Sequence, residues 1–386
     1  MNTHTLLTWS EKDTERSALW RSDQHLPARV VLADDTLTAD AAYRLACEGT
    51  GLLWRGDFQN ARQLLQAMAR RIDKPQKAKR KKADITAPVP GAAFHTQRQA
   101  QAQRTRVLSQ VLIELGGDYS IELRRAPDAK LACAHAFGPA NRQASVISLR
   151  ALQGVIGAFE WRKNGVELPA LGEGLRIHPH YGVFSPVRGE YVGLVAKAPL
   201  PAALKEHSVA FDIGVGTGVL SAVLARRGAK QVVATDMAER ALACARDNLQ
   251  RLGLQNQVQL LQADLFPPGQ AALVVCNPPW LPARPTSVLE QAVYDEGSQM
   301  LKGFLSGLKA HLCEGGEGWL ILSDLAEHLG LRTREALLGW IADAGLQVLG
   351  RLDVKPVHGK AQDATDPLHA ARAAEVTSLW RLGAAG

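Results

Sequence analysis

Two clusters of residues in this chain have types and spacings that could do chemistry. The first is Asn277-Pro278-Pro279-Trp280, at the end of the apolar run VVC. Prolines cannot continue a central β ladder, so a strand must stop there. The chain then enters a stiff loop presenting one amide and one large flat ring. The second is FDIGVGTG, where Asp212 precedes Gly214, Gly216 and Gly218. Glycines at that spacing permit a sharp turn and let a ligand approach the backbone. Backbone N–H groups at the start of the next helix then face whatever is bound. The spacing is GxGxG; Val219 stands where a dinucleotide fingerprint has its third glycine. Asp236 lies about 20 residues on, where an acid can accept hydrogen bonds from ribose hydroxyls. Asp264, after the next apolar run, could reach an adenine amine. Together these predict a site for a nucleoside-type cofactor. A turn that binds nothing, or a degenerate nicotinamide site, is the plainer alternative.

The elements that must position these residues are legible from about Gly172 onward. SVAFDIG, KQVVATD, VQLLQAD and ALVVC read as four buried strands, with helices VLSAVLARRG and AERALACARDNLQRLGL between them. Next come a long helix within SVLEQAVYDEGSQMLKGFLSGLKAHLCEGGE, the strand GWLILSD, the helix LRTREALLGWIADAGL and the strands LQVLGRLDV and EVTSLWRLG. Such alternation predicts an α/β fold, a doubly wound, mostly parallel seven-stranded sheet of Rossmann type. Sites on such sheets sit at the carboxyl ends of the strands. A hairpin between the last two strands would open its loop on that edge, with Lys355, His358, Lys360, His369 and Arg372 within reach of a phosphate backbone. An ordinary surface loop is the plainer reading.

Upstream, the expected architecture is a mixed α/β region in pieces. Residues 1–74 form an N-terminal helical region, 75–93 a basic linker, 94–171 a second subdomain able to bind substrate, and 172–386 the catalytic domain. Thr38 and Asp57 are expected helix caps. Phe58, Ala61, Leu64, Leu65 and Met68 share one helical face. HTQRQAQAQRTRVLSQVLIELG reads as helical, and DYSIELRRAPD as a strand with a turn. The run Arg70–Lys82 reads as a solvated linker or as an electrostatic arm for RNA.

At this point the residues resemble a family. DIGVGTG, Asp236, Asp264 and NPPW are similar to the successive motifs of class I S-adenosylmethionine-dependent methyltransferases, over roughly Gly172 to Gly383. NPPW resembles the branch that methylates planar nitrogens, in base amines and in the glutamine amide of release factors. Trp280 stands where tyrosine or phenylalanine is more usual and keeps the flat face. The resemblance implies S-adenosylmethionine as cofactor, held by Asp212, Gly214, Gly216, Gly218, Asp236, Asp264 and Asn277. It implies Asn277, Pro278, Pro279 and Trp280 as the catalytic set. An amide or exocyclic NH2 is a poor nucleophile because its lone pair is conjugated. The Asn277 side-chain carbonyl and the Pro278 backbone carbonyl can accept its two hydrogens, Pro279 stiffens the loop, and Trp280 can stack on the target. A paired base would have to be flipped out first. HPHYGVFSPVRGEY occupies the place of a substrate- and cofactor-covering loop in glutamine methyltransferases, whose proline-rich pattern SPVRGEY echoes loosely.

Composition bounds the partners. The net charge is +7 and the pI about 9.2, which favours acidic partners, nucleic acid first. No apolar stretch is long enough to span a bilayer, so no membrane partner is expected. The five scattered cysteines suggest neither a disulfide frame nor a zinc site, and a reducing cytoplasm fits best. His178 and His180 lack a third ligand nearby, so no metal is expected. A monomer is expected. The expected activity is N-methylation of an exocyclic base amine in RNA, ribosomal RNA first. A protein glutamine amide is the alternative, and a cofactor-binding module without turnover is an alternative of another class.

Overall fold

The computed structural model describes residues 5–74, 91–187, 189–287, 289–356 and 363–386. The chain divides into two compact units, Met1–Glu160 and Trp161–Gly386.

The first unit is built on one six-stranded mixed sheet. Its strands are β1 (Leu6–Glu11), β2 (Thr14–Trp20), β3 (Arg29–Ala33), β4 (Thr50–Trp54), β5 (Val111–Leu115) and β6 (Ser145–Ser148), in the order β1-β2-β6-β5-β4-β3. The helices are α1 (Ala39–Cys47), α2 (Phe58–Asp73), α3 (Ala92–Leu108), α4 (Lys130–Phe137) and α5 (Leu149–Asn164), the last running across the division. The caps are as expected. Thr38 accepts a hydrogen bond from Ala41 N at 3.3 Å, and Asp57 accepts one from Gln59 N at 2.8 Å. The five apolar residues assigned to one face of α2 are all buried.

The expected division of this region is corrected. Residues 1–74 and 94–171 do not fold as separate pieces, because β5 and β6 lie between β2 and β4 in one ladder. Every residue of β4 is buried, and a strand covered on both faces needs a partner on each edge. Leu52 pairs with Val111 and Ile113 with Ile147. Residues 1–74 are also not simply helical, since β1 and β2 form a hairpin whose turn residues Lys12 and Asp13 have φ of 51° and 60°. Two positive φ values suit the twist of a tight hairpin. VLIEL, read as the end of a helix, is the strand β5: α3 stops at Leu108, and a run whose residues are apolar except Glu114 has no helical period. DYSIELRRAPD contains no strand; Tyr119 and Arg125 adopt positive φ in successive turns. Of the expected linker, residues 75–90 lie outside the described residues, and Ala92–Ala93 already belong to α3.

In the second unit the strands are β7 (Val166–Glu167), β8 (Arg176–Ile177), β9 (Val209–Ile213), β10 (Gln231–Asp236), β11 (Val258–Gln262), β12 (Ala271–Cys276), β13 (Leu312–Ser323), β14 (Leu346–Val354) and β15 (Thr377–Ala384). Its helices are α6 (Glu190–Lys197), α7 (Val219–Arg226), α8 (Glu239–Arg251), α9 (Gln299–His311), α10 (Leu325–His328), α11 (Arg334–Asp343) and α12 (His369–Ala374). The seven-stranded sheet has the order β11-β10-β9-β12-β13-β15-β14. Its first five strands are parallel and β15 is antiparallel to both neighbours. Alternate residues of β12 serve the two faces. Leu273 and Val275 pack with α6, α7 and α8, while Val274 and Cys276 pack with α9 and α11. The unit begins earlier than residue 172 because Val166 pairs with Ile177 and Leu168 and Leu171 enter its core.

Strand order reverses at β9, which pairs with β10 on one side and β12 on the other. A crevice outside the carboxyl ends is therefore expected at this point. The β14–β15 loop opens on the same edge, since Val354 and Ser323 both pair with Thr377. Of the residues singled out there, His358 and Lys360 lie outside the described residues, and Arg372 is ion-paired with Asp366 at 2.9 Å.

Candidate active site

Strand register brings three of the expected residues to one level. Ile213 pairs with Thr235 and with Cys276. The next residue on each of these strands is Gly214, Asp236 and Asn277, side by side at the carboxyl edge. Asp264 lies two residues past Gln262, the partner of Asp236, and is exposed. Next to it is Leu265 at φ 65°, whose carbonyl accepts from the Thr235 hydroxyl.

The glycine loop is strapped to β10. Gly214 N and Val215 N both donate to the Thr235 carbonyl, at 2.9 and 2.8 Å. Gly216 N donates to Asp236 Oδ2 at 3.1 Å, and Ala238 N to Asp236 Oδ1 at 2.9 Å. Each carboxylate oxygen has two lone pairs, so each keeps acceptor capacity toward a ligand. Burial raises the Asp236 carboxyl, against the lowering effect of these backbone hydrogen bonds. Gly218 closes the loop with φ 82°, and a Cβ there would come within 3.2 Å of Ala245 on α8. Only glycine allows both the conformation and the close packing.

Asp212 is 1% exposed. Its Oδ2 accepts from Ser221 Oγ at 2.5 Å, and its Oδ1 has no hydrogen-bond partner among the described residues. Burial pushes the carboxyl up to about 6, opposed by the Ser221 hydroxyl and reinforced by the charge of Asp236. Linkage sets the sign. Stability that comes from protonated Asp212 is complete below the ordinary value of 3.8 and is lost as pH rises through about 6. At pH 7.5 the buried charge thus costs about 3 kcal/mol. Asp212→Asn is expected to raise the midpoint of thermal unfolding at pH 7.5 and to flatten its dependence between pH 4 and 7. A pH series of unfolding curves checks this, and an unchanged slope would contradict it.

The NPPW loop is fixed at both ends. Pro278 is buried, and Asn277, Pro279 and Trp280 are half-buried. Trp280 packs against the core clusters of both sheet faces, and its Nε1 donates to Asn277 Oδ1 at 2.9 Å. Farther on, Asp295 N donates to the Leu281 carbonyl at 2.9 Å. The Asp295 carboxylate accepts from Met300 N and Leu301 N at 3.1 and 3.2 Å, seating the start of α9. The Met300 methyl lies 2.9 Å from the position a Cβ on Gly214 would take, so α9 also closes on the glycine loop.

Several residues here have no signal in the sequence. Asn248 on α8 takes His178 N on its Oδ1 at 2.7 Å and donates to the Thr217 carbonyl at 3.0 Å. It thereby ties the glycine loop to the segment expected to cover the cofactor. His180 Nε2 and Arg162 each reach Asp247 Oδ2 at 2.9 Å, and His178 Nδ1 donates to the Arg162 carbonyl at 2.7 Å. Both histidines are thus engaged with protein groups. Among the described residues no group of three or more His, Cys, Asp or Glu side chains could hold a metal ion. Arg332, in the turn between α10 and α11, is 6% exposed, and its Nε and Nη2 have no hydrogen-bond partner among the described residues. Burial lowers its pKa. All five cysteines are free, and no helix among the described residues is long and apolar enough to cross a membrane.

A nucleoside-bearing cofactor with a cationic tail fits this chain. The glycine loop offers backbone approach, Asp236 has spare acceptor capacity, and the unpartnered Asp212 Oδ1 supplies negative charge beneath the loop.

Comparison with known proteins agrees with the geometry. Residues 174–329 match the model of the methyltransferase small domain. The release factor glutamine methyltransferase of Cereibacter sphaeroides is 30% identical over 172 residues, covering 41% of this chain and 58% of the relative. That of Caulobacter vibrioides is 39% identical over 106 residues, covering 26% of this chain and 36% of the relative. The ribosomal protein L11 methyltransferase of Caldanaerobacter subterraneus is 37% identical over 76 residues, covering 19% of this chain and 24% of the relative. The chain thus spans less than two thirds of the length of each of these relatives. The matched stretch, residues 174–329, includes the strands and loops that carry Gly214, Asp236 and Asn277, so it is this site that is similar to a methyltransferase small domain.

Proposed function

We propose that the second unit transfers a methyl group from S-adenosylmethionine to a planar amide nitrogen, the side chain of a glutamine in a protein. The observation that carries this reading is the half-buried Asn277 carbonyl, placed beside Gly214 at the point where strand order reverses. Bound S-adenosylmethionine would supply a methyl group on a sulfonium: the C–S bond would give its electron pair to sulfur, leaving a neutral thioether, while the nitrogen would take the methyl carbon and give up one of its two protons to water. The chain's part is to hold and aim. Asn277 Oδ1 and the Pro278 carbonyl accept the two N–H groups of the target, so its lone pair points along the line of transfer. Trp280 covers the π face of the target, and such stacking is worth about 1–3 kcal/mol. Asp236 and the Gly214–Gly218 loop hold the nucleoside end. The similarity to release factor glutamine methyltransferases supports a glutamine over a base as the target.

A base amine in RNA is the second reading, and a specific observation favours it. Helix α3 is exposed over most of its length and carries Arg98, Arg104 and Arg106 with no acidic residue. A lysate of a strain lacking this gene, incubated with the protein and methyl-labelled S-adenosylmethionine, separates the two. Label lost to protease supports the glutamine reading. Label lost to ribonuclease overturns it in favour of RNA. Tight cofactor binding with no transfer to either would make the unit a binding module.

A further inference from the structure

The hydrogen bond from Trp280 Nε1 to Asn277 Oδ1, at 2.9 Å, has a consequence for the proposed transfer. An asparagine side chain presents an acceptor on one side and two donors on the other. A half-turn about its last torsion exchanges them. With the oxygen toward the target, Asn277 attracts an N–H; with the NH2 toward it, the two amines repel. Nothing in the amide itself selects between these states. The indole N–H is donor only, so it can bond to Asn277 in one of them and not in the other. The oxygen keeps a second lone pair for the target. A phenylalanine ring at this position has no N–H, and the hydroxyl of a tyrosine sits at the far end of its ring.

We propose that Trp280 is a positioning residue as well as a stacking surface: its indole N–H fixes the amide of Asn277 with the oxygen available to the target. The anchor is itself held, because Trp280 packs against both core clusters and the loop beyond it is closed by Asp295. The inference rests on the N-methyl transfer proposed above, and its test separates the two.

The bond is read without any substrate. The 15N-labelled protein has eight tryptophans, and the Trp280 indole N–H resonance is identified by its disappearance in Trp280→Phe. In Asn277→Ala that resonance is expected to move and its exchange with water to quicken. An unmoved resonance would overturn the bond. The positioning role is read from kinetics. Trp280→Phe keeps a flat ring, so the target KM is expected to stay within about twofold while kcat falls roughly tenfold, the size of one lost hydrogen bond. A raised KM with unchanged kcat would leave only stacking and overturn the role, as would no change in either. If the unaltered protein methylates nothing, the transfer reading falls and the positioning role with it. The indole resonance still decides the bond.

Discussion

Asn277→Ala is expected to reduce methyl transfer by roughly a hundredfold to a thousandfold, the range found when one oriented hydrogen-bonding group is removed from a reacting centre. S-adenosylmethionine should bind it within about twofold of the unaltered protein, because the Gly214–Gly218 loop and Asp236 remain. The reason for so large an effect on rate lies in the target. The lone pair of an amide nitrogen is conjugated with its carbonyl and points nowhere useful until both N–H bonds are held. In the proposed transfer one acceptor is the Asn277 oxygen, and the pairing of Cys276 with Ile213 sets Asn277 next to Gly214. The variant also strands the indole N–H of Trp280, whose acceptor was 2.9 Å away. Single-turnover transfer at saturating cofactor, with cofactor binding measured separately, checks this. Equal losses in both would show that Asn277 serves the cofactor or the fold and has no separate part in the transfer.

Asp236→Ala should show the reverse pattern. The Asp236 carboxylate holds two backbone N–H groups, of Gly216 at 3.1 Å and Ala238 at 2.9 Å. In the proposed complex it also accepts from the ribose hydroxyls. Hydrogen bonds to a charged group contribute about 1.5–3 kcal/mol each, so the dissociation constant for S-adenosylmethionine is expected to rise roughly a hundredfold. The rate at saturating cofactor should change only a few-fold, since in that proposed complex Asp236 serves the nucleoside end, away from the reacting atoms. Titration calorimetry checks it, and unchanged binding would remove Asp236 from the site.

Much of the second unit was legible because its signals are local. VAFDI, QVVATD and ALVVC are short apolar runs ended by a glycine loop, an acid and a proline pair, and each is a strand that stops where its punctuation says. The first unit was harder. In β1 the buried Leu7 and Trp9 alternate with Leu6, Thr8 and Ser10, yet the stretch is short and runs into charged residues, so its period of two was weak. Between α3 and β5 only Ser109 and Gln110 intervene, with no glycine or proline to mark the change. The union of two expected pieces in one sheet depends on pairing between distant strands, which composition does not reveal. The site divides along the same line. Gly214, Asp236 and Asn277 each come directly at or after the end of a strand and could be read in order. Asn248, Asp247 and Asp295 matter through contacts that packing creates, and their types are common on helices and loops. The Trp280 hydrogen bond belongs to this second group: the sequence showed a flat ring, while the donor it aims at Asn277 depends on the orientation the core imposes.

The measurement that tests the central claim most directly is the identity of the bond made to the methyl group. Protein labelled from methyl-tritiated S-adenosylmethionine would be hydrolysed in strong acid, which cleaves a side-chain amide. The proposed function predicts labelled methylamine, volatile once the hydrolysate is made alkaline, released from an N-methylated glutamine and absent from the Asn277→Ala reaction. Label released by mild base as methanol, or kept on a purine through acid treatment of the RNA fraction, would contradict it.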